Sequence, residues 1–143
     1  MRRLAVAAGF SIILVAGCAM RSGPDPAAEP EGPTLVLDVT NESDRDVVVG
    51  YDFESAAMSG TGESFFPACR REATPHSTIS GDYRVVVDGE VVLEDSVPPR
   101  ASADTFLVVR MRIAPDGEVE VVAPGVMQEP LEAHTAIPGC GAP

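Results

Sequence analysis

The chain has 143 residues, room for one modest domain, and sets 22 Asp and Glu against ten basic residues, for a formal net charge of −12. Every basic residue is Arg, and only Arg70–Arg71 and Arg110/Arg112 come close to a cluster. This argues against nucleic-acid binding, because neutralising phosphates takes a concentrated basic patch. The same acidity opposes attraction to anionic lipid headgroups, so any hold on a membrane has to be covalent or hydrophobic.

Residues 1–17, MRRLAVAAGFSIILVAG, run from a short positive segment through an apolar stretch to the small residues Ala16 and Gly17. Leu4 to Ala16 is shorter than the roughly 20 residues a bilayer-spanning helix needs, so export followed by cleavage fits better than a permanent span. The Arg2–Arg3 pair lacks the flanking residues that complete a twin-arginine signal, which leaves general secretion.

Val15–Ala16–Gly17–Cys18 resembles the lipobox of bacterial lipoprotein signals, with an aliphatic residue, a small residue and Gly or Ala ahead of an obligatory Cys. The resemblance implies that the Cys18 thiol takes a diacylglycerol and that residues 1–17 are removed. The mature protein would then be a lipoprotein on the extracytoplasmic face of the cell membrane. Two or three acyl chains hold stably where one is marginal. Because the resemblance ends at Cys18, it supplies an address and no activity. In general style the remainder is similar to small lipoproteins of GC-rich Gram-positive bacteria, a compositional likeness that supplies no site residues.

Residues 18–33 follow as the lipidated Cys and a tether. Pro24, Pro26, Pro30 and Pro33 alternate with Ala, Gly and acidic residues, a composition that favours extended polyproline-like chain of about 3.1 Å per residue.

From residue 34 to 123 the pattern is short runs of period two. In TLVLDVT, Leu35, Leu37 and Val39 share a face; in DVVVGYDF, Val47, Val49, Tyr51 and Phe53 do, and NESDR between them reads as a hairpin loop. Asn41–Glu42–Ser43 also matches a glycosylation acceptor, although a turn accounts for it more simply. FESAAMSG is the one competing helical segment, short and ended by Gly. ESFFPACRR and ATPHSTIS are weaker strands, which Pro67 and Pro75 demote to edges or strand ends.

Asp88–Gly89 in YRVVVDGEVVLED is a strong hairpin signal, because both residues accept positive φ. A second hairpin turns at Pro115–Asp116–Gly117. There Thr105, Leu107, Val109, Met111 and Ile113 share one face against Val119, Val121 and Ala123. Phe106 and Val108 on the other face suggest a central strand covered on both sides. The sum predicts an all-β fold, an antiparallel immunoglobulin-like β-sandwich of about seven strands, with a small barrel as the alternative. Residues 124–143, rich in Pro and Gly, show no strand pattern and read as an irregular tail.

Once Cys18 is set aside, Cys69 and Cys140 remain, and an isolated pair in an exported protein reads as a disulfide that would pin this tail. An alternative joins Cys69, His76, His134 and Cys140 as a Zn or Cu(I) set, although five or six residues between partners are looser than preorganised ligand pairs. A further alternative is a small hydrolase with His76 or His134 as base. Against it, His76–Ser77 lacks a nucleophile-elbow pattern, and adjacent strand residues point to opposite faces. The paired carboxylates Asp88/Glu90, Glu94–Asp95 and Glu118/Glu120 read as a solvated rim, and no cofactor motif is present.

A partner surface is suggested by Phe65 and Phe66 beside Arg70–Arg71, which could meet an envelope protein or an anionic wall polymer. The simpler reading has one Phe in the core and the other covered by the docked tail. The expectation is therefore a lipid-anchored, non-enzymatic domain with a binding or structural role at the cell envelope.

Overall fold

The computed structural model describes residues 32–141; Cys18, residues 1–17 and the tether up to residue 31 lie outside them. Nine strands form two sheets: β1 Thr34–Asn41, β2 Val47–Glu54, β3 Ser59–Phe66, β4 Arg70–Thr78, β5 Asp82–Val87, β6 Glu90–Ser96, β7 Phe106–Ile113, β8 Val119–Met127 and β9 Ala133–Ala136. One sheet has the order β8-β7-β1-β4-β9 and the other β3-β2-β5-β6. They enclose one core, built by Leu35, Leu37, Val39, Leu107, Val109, Met111 and Ile113 from the first sheet and Val47, Val49, Tyr51, Phe53, Tyr83, Val85 and Val87 from the second. This is the all-β sandwich that the period-two runs predict, since each run offers one apolar face to bury.

The details depart from expectation in informative ways. The sandwich is not wholly antiparallel: β1 and β7 pair in parallel, in register from Thr34↔Phe106 to Asn41↔Ile113. NESDR is not a hairpin loop, because β1 and β2 belong to different sheets. Asn41, fully buried, organises the crossing. Its Nδ2 donates to the carbonyls of Arg45, Phe66 and Pro67, and its Oδ1 accepts from the Ser43 N–H and hydroxyl. FESAAMSG is strand and turn, with Ser55 closing the β2–β3 loop by bonds to Met58.

Both Asp-Gly hairpins form. Asp88 and Gly89 take φ of 48° and 88° between β5 and β6, and Gly117 takes 89° between β7 and β8. Val36 and Val108 are buried on the outer side of β1 and β7, so both central strands are covered on two faces. Val119 and Val121 reach the core but Ala123 does not. A bulge between Val108↔Gly125 and Arg110↔Val122 shifts the parity of β8, and Val126 takes the inward place.

Pro67 ends β3, an edge strand, whereas Pro75 sits inside β4. Pro75 is tolerated there because β9 pairs only with Arg70–Ala73 and the β1–β4 register shifts beside it. The tail is not strandless either: β8 continues to Met127, and β9 adds to the β4 edge. The last two residues assigned to the tether, Gly32 and Pro33, are buried, and the Pro33 carbonyl accepts the Ile79 N–H at 3.0 Å.

Candidate functional site

β1 is the most buried strand of the fold, and Asp38 interrupts its apolar run. Its Leu and Val neighbours in the sequence face the core, so strand alternation turns Asp38 to the outer face of the five-stranded sheet. There it stands opposite Ala73 on β4 and Arg110 on β7. Arg71, two residues before Ala73, lies on the same face and reaches back. Its Nε–H donates to Asp38 Oδ1 at 3.0 Å and its Nη2–H to Oδ2 at 2.9 Å. Arg110 Nε–H donates to the same Oδ2 at 3.2 Å.

The Asp38 side chain is 3 % exposed while those of Arg71 and Arg110 are 44 % and 50 % exposed, so a sunken anion holds two cations at the surface. Hydrogen bonding and charge from Asp38 push Arg71 further above its ordinary range. Beside them Arg112 forks onto Glu42, holding that carboxyl below its usual range. Asp38, Thr40, Arg71, Arg110, Arg112, Glu120 and Val122 line a shallow depression of about 310 Å³.

The four residues expected to form a partner surface are dispersed. Phe66 is 2 % exposed in the core and Phe65 is 71 % exposed, so the tail does not cover the second ring. By alternation Phe65 lies on the outer face of the four-stranded sheet, paired with Val48, and Arg71 on the outer face of the other sheet. Arg70 points to the opposite side of β4 from Arg71, with Glu72 as its nearest carboxylate at 3.9 Å. The signal for the cluster was an Asp inside the most apolar run, together with arginines two apart in RMRI. Pairing them needed the parallel β1–β7 register.

Cys69 and Cys140 are joined in a disulfide, with Cα atoms 5.3 Å apart. Ile137 N–H also donates to the Cys69 carbonyl, so strand pairing and the covalent bond together hold the tail. The proposed ligand set is thereby divided. Both thiols are spent on each other, His76 packs on Tyr51 with ring centroids 5.6 Å apart, and His134 Nδ1 lies 3.8 Å from Glu72. Among the described residues no three His, Cys, Asp or Glu side chains gather as a metal-holding group.

Contrary to simple alternation, His76 and Ser77 both reach Tyr51, because the register shift in β4 falls at this point. The Ser77 hydroxyl shares a 2.6 Å hydrogen bond with the Tyr51 hydroxyl, and His76 Nε2 lies against Thr74 Oγ1. Burial lowers the His76 pKa. The carboxylates Asp88, Glu90, Glu94, Asp95, Glu118 and Glu120 are all exposed. Among the described residues no helix is long and apolar enough to cross a membrane. The chain matches no protein-family model, no curated protein and no solved structure.

Proposed function

We propose that this protein is a lipid-anchored, extracytoplasmic β-sandwich domain whose role at the cell envelope is binding or support rather than catalysis. The observation that carries the reading is Val15–Ala16–Gly17–Cys18 at the end of a short apolar segment behind Arg2–Arg3. The Cys69–Cys140 disulfide supports it, because such bonds persist in oxidising compartments. So does the use to which the fold puts its candidate nucleophile: Ser77 is engaged by Tyr51, with no hydrogen bond from His76. The exposed Phe65 and the half-exposed arginines on β4 and β7 are the surfaces a partner would meet.

Mass spectrometry of the protein from its native host is the direct test. The expected species begins at Cys18 and carries the mass of a diacylglycerol. An unmodified Cys18, or residues 1–17 retained, overturns the anchor.

A further inference from the structure

We propose that the Arg71–Asp38–Arg110 cluster is a recognition site for a carboxylate borne on a small apolar group. This names a ligand for the binding role proposed above, and it stands on the folded domain alone. Asp38 is a single carboxylate with both oxygens engaged, and it can balance only one of the two guanidiniums that converge on it. Arg45, Arg84 and Arg112, by contrast, each have a carboxylate of their own, in Asp88, Asp52 and Glu42. Among the described residues Arg110 has only the uncharged Met127 Sδ as a further partner.

The arrangement suits recognition because the buried carboxylate holds the Arg71 fork at two points and Arg110 at its Nε before any ligand arrives, so less side-chain freedom is left to lose on binding. Arg71 and Arg110 keep Nη1 groups that make no hydrogen bond among the described residues, and both side chains line the same depression. An oxyanion spanning them would receive charge-assisted hydrogen bonds from both sides.

What selects among oxyanions is Val122. It pairs with Arg110 across β7 and β8, is 51 % exposed, and forms an apolar wall of the same depression. A bare inorganic anion leaves that wall wet, whereas a carboxylate with a short aliphatic substituent covers it. The net charge of −12 does not forbid the site, since exposed charges are screened beyond about 8 Å at physiological salt. Glu120, on the rim across from Arg112 but with no arginine within salt-bridge distance among the described residues, is the local opponent.

The test is titration of the full chain in detergent solution with N-acetylvaline, read by calorimetry and by the Arg Nε–H resonances. Saturable binding that shifts Arg71 and Arg110 is expected. Arg110→Gln should weaken it about tenfold or more, the loss of one charged hydrogen bond. Glu120→Gln should strengthen it, and Val122→Ser should abolish the preference for N-acetylvaline over acetate while the fold stays intact. The valine amide without a carboxylate should not bind. No shift at either arginine, or equal affinity in Arg110→Gln, overturns the site; inorganic phosphate binding as tightly as N-acetylvaline overturns the selectivity. These outcomes are read separately from the mass at Cys18, so failure of the site and failure of the anchor are distinguishable.

Discussion

Asn41 and Tyr83 are buried polar residues with opposite fates. Asn41 satisfies three carbonyls and two donors at the crossing between sheets, so Asn41→Ala strands several buried groups at once. It should cost about 2–3 kcal/mol in urea unfolding, and Asn41→Asp should also destabilise because it removes the donors. That use of the side chain also decides between the two readings of Asn41–Glu42–Ser43, since an amide at 0 % exposure is a structural one. The Tyr83 hydroxyl is buried with no hydrogen-bond partner among the described residues, and burial with the nearby Asp95 charge raises its pKa. Tyr83→Phe should therefore leave the unfolding midpoint unchanged or raise it, by up to about 1 kcal/mol of stability.

His76 gives a pH signature at the same scale. Its folded pKa lies below the ordinary 6.5, so the unfolded chain takes up the proton first as pH falls. The neutral imidazole's share of stability is fully present above pH 6.5 and is lost below it, down to the folded pKa. Melting temperatures at pH 7.5 and 5.5 should differ more for the native chain than for His76→Asn.

Among the elements, the hairpins were legible and the sheet partners of distant strands were not. Asp88–Gly89 and Asp116–Gly117 announce their turns locally, because positive φ is a property of one or two residues. β3 hides for a different reason: its inward positions include Gly60 and Gly62, where a Cβ would come within 2.7 Å of the Phe53 ring and 2.6 Å of the Tyr51 hydroxyl. Aromatic rings from β2 supply the bulk, so SGTGES shows no apolar alternation to read. The parallel β1–β7 pair joins segments far apart in the chain, and no local pattern specifies it. The arginine cluster depends on that register, so Asp38 reads in sequence as an ordinary outward residue.

β9 is the element most dependent on covalent help, with four residues paired along one side. Cys140→Ser should lower stability by up to about 4 kcal/mol on the chain-entropy estimate for a loop of this length. Hydrogen exchange should show the amides of Arg70–Ala73 that face β9 losing protection while those bonded to β1, and the central β1 amides, keep theirs in the native state. Uniform loss across both sheets would mean that the tail is integral to the core rather than added to its edge.

At the scale of the molecule, one core joins both sheets, so the sandwich should unfold as a unit. Leu37→Ala, in the five-stranded sheet, should cost about 2–5 kcal/mol and reduce exchange protection at Val85 in the other sheet by the same amount. Protection lost only around β1 would show that the sheets open independently.

The position at which the backbone enters the sandwich has a directional consequence. Pro33 is fastened to Ile79 at one pole, and β1 then runs eight residues, about 26 Å, to Asn41 at the other. Cys69 and Cys140 lie near that far pole, where the Cys69 N–H donates to the Ser43 carbonyl and the Cys140 sulfur lies against the Glu42 carbonyl, together with the Pro115–Gly117 bend. On the proposed anchoring at Cys18, the chain would enter the sandwich at the pole opposite the cystine, so the cross-link would face away from the attachment and meet reductants from the surroundings first.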